Sequence, residues 1–114
     1  MAELLEAALR NDQRVVVPSL VLTELITGAL RDAAVWHVVR RLPVIDIDAR
    51  IAARAGGLRE QATATRRKKR DLTVDSVVAS VAATVAPAAV VTADPEDFRL
   101  LAVGLDITVV ELGR

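Results

Sequence analysis

Short β-branched runs recur along this chain, and a stretch of helical spacing separates most of them from the next. The runs are Val15-Val16-Val17, Val44-Ile45-Asp46-Ile47, Ala89-Val90-Val91-Thr92 and Ile107 to Glu111. A strand, a helix and a second strand close most readily as a parallel pair with a right-handed crossover. The alternation therefore specifies an α/β chain with a mostly parallel sheet flanked by helices. Composition agrees with this. Of 114 residues 53% are hydrophobic but only 2% aromatic, so the core must come from Val, Leu, Ile and Ala, as in sheets buried on both faces. The length predicts one domain over 1–114.

Leu4, Leu5, Ala8 and Leu9 predict a helix over 2–10, ended by Asn11-Asp12. Pro18 cuts off the first strand, and Ser19 to Leu30 reads as helical with Gly28 late in it. Ala33 to Arg41 is a second helix, stopped by Pro43. Asp48 can cap a helix that starts at Ala49 and runs to about Gly56-Gly57 or a little past. Leu58 to Arg70 is more polar, Val74 to Ala86 is a strongly apolar helix ended by Pro87, and Asp94-Pro95 opens a helix through Val103.

Several function classes drop out early. The absence of cysteine removes disulfides and thiolate metal sites and fits a reducing cytoplasm. No run reaches the roughly 18 apolar residues of a membrane span. The first ten residues lack the basic start and apolar stretch of a signal peptide. The expectation is a cytoplasmic protein without a membrane partner. Fifteen basic and fifteen acidic residues cancel, so net charge says nothing about nucleic acid. There is no P-loop, no G-x-G-x-x-G and no nucleophile elbow.

Ligands of open parallel sheets collect at the carboxyl ends of strands. Glu24 follows the first strand, Asp94 and Asp97 follow the strand ending at Thr92, and Asp75 opens the apolar helix that feeds that strand. Each has a plainer reading. Glu24 shares a helical face with Thr23, Thr27 and Arg31, which suits a solvated surface. Asp94 and Asp97 have the spacing of a helix cap. Asp75 could simply offset a helix dipole, although its flank of Ala79, Ala82 and Ala86 predicts a crowded cleft. Taken together, several carboxylates at one sheet end repel one another. Hard oxygen ligands select Mg²⁺ or Mn²⁺, which can activate water and stabilise charge on a phosphodiester. His37, beside Trp36 and far from these acids in sequence, reads as a structural or surface residue. The run Arg66, Arg67, Lys68, Lys69 and Arg70 is either a solvated loop or a patch that attracts RNA phosphates. The few aromatics argue against base stacking as the means of recognition.

Three segments carry a resemblance. Val15-Val-Val-Pro-Ser-Leu-Val-Leu-Thr-Glu24-Leu, Leu72-Thr-Val-Asp75-Ser-Val-Val-Ala-Ser and Val90-Val-Thr92-Ala-Asp94-Pro-Glu-Asp97-Phe98 resemble, in order, the second-, third- and fourth-acid segments of PIN domains. The last is similar to the Thr-x-Asp-x-x-Asp-Phe pattern of VapC-type toxins from type II toxin–antitoxin systems. The resemblance implies a three-layer PIN-like α/β fold and a ribonuclease using Mg²⁺ or Mn²⁺. It also implies inhibition by a VapB-type antitoxin and a homodimer. On it, Glu24, Asp75 and Asp94 are the metal-centred acids, Asp97 is a second ligand or a water-orienting base, and Thr92 supports the site by hydrogen bonding.

One departure matters. The family opens with an apolar strand ending in Asp followed by Thr or Ser, and nothing before Glu24 matches, because Asp12 precedes Gln13 and its strand. The expectation is a chain truncated at its N-terminus, lacking the first strand and first acid, with a missing upstream segment as the favoured origin. That strand would lie between Val15–Val17 and Ala89–Thr92, so its loss leaves two half-sheets. These could close on each other or take a strand from a second copy. A chain so shortened has reduced activity or none. The alternative function is a degenerate, non-catalytic PIN-like module that binds an antitoxin or RNA.

Overall fold

The computed structural model describes residues 15–65, 71–92 and 95–111. The helix expected over 2–10, the basic run Arg66–Arg70 and Asp94 lie outside the described residues. The chain divides into two compact units, one ending at Asp46 and one beginning at Ile47.

In the first unit β1 (Val17–Pro18) pairs in parallel with β2 (Val44–Ile45), Val17 opposite Val44 and Pro18 opposite Ile45. The pair is shorter than the valine run predicts. Pro18 has no amide to give the ladder, and Pro43 stands just before β2, where its carbonyl accepts the Val17 amide at 2.9 Å. The continuous helix expected from Ser19 to Leu30 is not formed. A 3₁₀ turn (Ser19–Val21) leads into the short α1 (Leu22–Leu25), and Ile26 is already extended at φ −98°, ψ 126°. Asp32 accounts for the break. Its carboxylate accepts hydrogen bonds from the Thr27 amide (2.9 Å), the Thr27 hydroxyl (2.8 Å) and the Gly28 amide (2.6 Å), which binds the 27–28 backbone to the start of the next helix. Gly28 takes φ +82°, a left-handed conformation that glycine adopts without penalty. Helix α2 (Asp32–Val39) follows.

The second unit opens with α3 (Ala49–Thr65), capped as expected by Asp48, whose carboxylate accepts the Ile51 amide at 2.9 Å. Gly56 and Gly57 do not end it, contrary to the sequence reading. Ile51, Ala55, Leu58 and Ala62 repeat at helical spacing and are all buried, and this stripe holds the helix through the glycines. Helix α4 (Thr73–Thr84) packs along α3. Two of its serines are turned inward: Ser76 and Ser80 are buried, and the Ser80 hydroxyl donates to the Ile51 carbonyl at 2.8 Å. Then come β3 (Ala88–Thr92), α5 (Pro95–Leu101) and β4 (Ile107–Glu111). Strands β3 and β4 are parallel, in register from Ala88–Ile107 to Thr92–Glu111. Leu58, Ala62, Leu72, Ala79 and Leu101 form one core cluster, and Ala82, Val90 and Phe98 form another beside the strands.

The fold is thus a mixture of helices and short parallel sheets, compatible with the α/β architecture expected from the sequence. Among the described residues β1 pairs with β2 and β3 with β4, and no further strand joins either pair. No described helix is long and apolar enough to cross a membrane.

Candidate active site

Helix α4 reaches β3 through the short turn Val85–Pro87 and packs on it. The two therefore run in opposite senses, and the first turn of α4 lies toward the carboxyl end of β3. Helix α5 begins only a few residues beyond Thr92, so its first turn lies there as well. Asp75 in the first turn of α4 and Asp97 in the first turn of α5 are thereby brought to one end of the second unit, with Thr92 at the strand terminus between them in sequence. The start of α4 is fixed from outside the helix. Leu72 makes no side-chain cap; instead the Asp71 carboxylate accepts the Thr73 hydroxyl (2.6 Å) and amide (3.0 Å), and Arg59 of α3 donates to the same hydroxyl at 3.0 Å. The two Thr73 bonds, with the Arg59 charge nearby, hold the Asp71 carboxyl below its ordinary pKa.

The candidate acids differ in exposure. Asp97 is 6% exposed, with its Oδ2 atom shielded from solvent, and Asp75 is half-buried, as is Thr92. A carboxylate pulled out of water must be compensated by donors or positive charge. Near the start of a helix, the aligned amides supply part of that compensation. Sequence reading treated Asp97 with Asp94 as a possible capping pair and gave no sign of this burial, which arises because Phe98 and Leu101 of the same short helix are drawn into the core.

Glu24 is exposed on α1 of the first unit, at the carboxyl side of β1, while Asp94 lies outside the described residues. Within the second unit the structure thus brings Asp75, Asp97 and Thr92 to one end. It adds one carboxylate that sequence reading passed over: Glu111 ends β4 in register with Thr92. Its only signal in the sequence is that it is the last residue of the final strand.

The oxygen-only donors of Asp75, Asp97 and Thr92 suit a hard divalent cation such as Mg²⁺ or Mn²⁺. Among the described residues, which exclude Asp94, no three His, Cys, Asp or Glu side chains come together as a complete metal cluster.

The PIN domain family matches residues 1–104 of the chain. No curated protein matches it by sequence. A match over nearly the whole length, together with parallel strand pairs and acids at the carboxyl end of β3, leads to one conclusion: the chain belongs to the PIN domain family, whose members are in general nucleases that use divalent metals.

Proposed function

We propose that this chain is a metal-dependent endoribonuclease of the VapC toxin type, hydrolysing RNA in the cytoplasm and neutralised by a VapB-type antitoxin. The observation that carries the reading is the placement of Asp75 and Asp97 in first helical turns at the carboxyl end of β3, within a PIN domain. The segment from Thr92 to Phe98 supports the VapC branch.

On this reading Glu24, Asp75 and Asp94 hold Mg²⁺ or Mn²⁺, with Asp97 as a further ligand or as the base that orients the attacking water. A cation held there lowers the pKa of water and stabilises charge on the scissile phosphate. The protein's own contribution is positional. Asp71 and Arg59 fix the start of α4 and so the carboxylate of Asp75. The Phe98 anchor fixes the first turn of α5 and so Asp97. Thr92 supports the site through its hydroxyl, and the Arg66–Arg70 run attracts the RNA backbone. A homodimer, as the resemblance implies, belongs to the same proposal, as does a single domain over 1–114.

Incubation of single-stranded RNA with the chain tests the reading. Cleavage is expected with Mg²⁺ or Mn²⁺, is expected to stop with EDTA, and is expected to fall to background in Asp75→Asn. If Asp75→Asn cleaves as well as the parent, the site is wrongly assigned. If RNA is bound but never cleaved, the chain is a non-catalytic module.

A further inference from the structure

We infer that an open groove on the first unit, beside α2, holds one nucleotide of a single-stranded RNA, with Trp36 as the stacking surface and Arg40 as the phosphate contact. The inference rests on the RNA substrate proposed above but not on catalysis. The groove has a volume of about 430 Å³; apolar residues such as Leu30 and Ala33 line it together with Trp36, Arg40 and the acid Asp32. Trp36 and Arg40 are one helical turn apart, and Arg40 keeps helical geometry at φ −60°, ψ −19°, so both fall on one face.

Charge selects the occupant. Between Ile26 and Val44 the exposed ionisable residues are Arg31, His37, Arg40 and Arg41. The single acid there, Asp32, is buried and its carboxylate accepts three hydrogen bonds. Of the groove's own lining residues Arg40 is the one exposed charge, and an aromatic face beside a cation suits a ligand that is flat and anionic at once, which describes a nucleotide. The low aromatic content argues against stacking by number, but the position of this one aromatic outweighs the count.

Trp36 is the only tryptophan and the chain has no tyrosine, so intrinsic fluorescence reports on this groove alone. The native chain, kept in EDTA to prevent cleavage, is titrated with a short oligouridylate. We expect saturable quenching of Trp36 that weakens as salt rises. With a labelled oligouridylate followed by anisotropy, Trp36→Leu and Arg40→Ala are each expected to bind about tenfold more weakly, the size of one lost base stack. The exposed Arg40 can be changed without touching the core, so it answers even if Trp36→Leu fails to fold. The inference is overturned if the RNA does not bind, or binds without changing Trp36 emission, or binds Arg40→Ala as tightly as the parent. It is also overturned if an acidic amphipathic peptide shifts Trp36 emission and RNA does not, which would make the groove a protein docking face. Quenching by RNA in a chain that never cleaves would sink the nuclease reading and leave this site standing; metal-dependent cleavage with a silent Trp36 would do the reverse.

Discussion

At the scale of single residues, the carboxylates of this chain perform different tasks, and burial with hydrogen bonding separates them. Burial acts to raise the pKa of Asp32, but the Thr27 hydroxyl and the Thr27 and Gly28 amides outweigh it and hold the carboxyl below its ordinary value. A group whose folded pKa is depressed stabilises the fold above its unfolded value, about 3.9, and that contribution is lost as pH falls through the lower folded value. Asp32→Asn is therefore expected to be less stable than the parent at neutral pH and to lose less stability on acidification below about pH 4. Thermal melts at neutral and acid pH check this; equal acid sensitivity in the two proteins would contradict it. None of this was legible beforehand, because Asp32 reads in sequence as one more acid near a helix start. Asp75, by contrast, was singled out correctly as a first-turn acid, since the apolar pattern of its helix fixes where that turn must be.

At the scale of elements, sequence reading succeeded where pattern and packing agree. The closing strand Ile107–Glu111 has the predicted bounds, and the strand at Ala88–Thr92 and the apolar helix α4 match to within a residue or two. It failed at Gly56-Gly57, where local propensity said stop and the buried stripe from Ile51 to Ala62 said continue. Propensity costs only about 1 kcal/mol per glycine, less than the roughly 1.5–3 kcal/mol from burying a side chain such as Leu58. Tertiary packing therefore wins. The same numbers give a prediction. Gly57 is exposed within α3, and a Cβ added there meets nothing within 4 Å. Gly57→Ala is expected to stabilise the protein by about 0.5–1 kcal/mol, seen as a higher urea midpoint with an unchanged slope. A lower midpoint would mean that the helix is not continuous through this position. Reading Ser19 to Leu30 as one helix failed for a different reason: the interaction that breaks it comes from Asp32, beyond the stretch being read.

At the scale of the whole molecule, composition indicated a single domain, and the described contacts resolve into two compact units with a parallel strand pair in each. If the chain is one PIN-like domain, the two units unfold together. Trp36 reports on the first unit, whereas α3 and α4 of the second make up much of the helical far-UV signal. Denaturation followed by tryptophan fluorescence and by circular dichroism is expected to give coincident transitions; two separated midpoints would show units that fold independently. The central claim is chemical: carboxylates that are distant in the chain serve one divalent cation. Calorimetric titration with Mn²⁺ tests it most directly. Saturable binding by the parent chain, lost in both Asp75→Asn and Asp97→Asn, is the predicted result. Absence of binding by the parent, or binding that survives both substitutions, would contradict it.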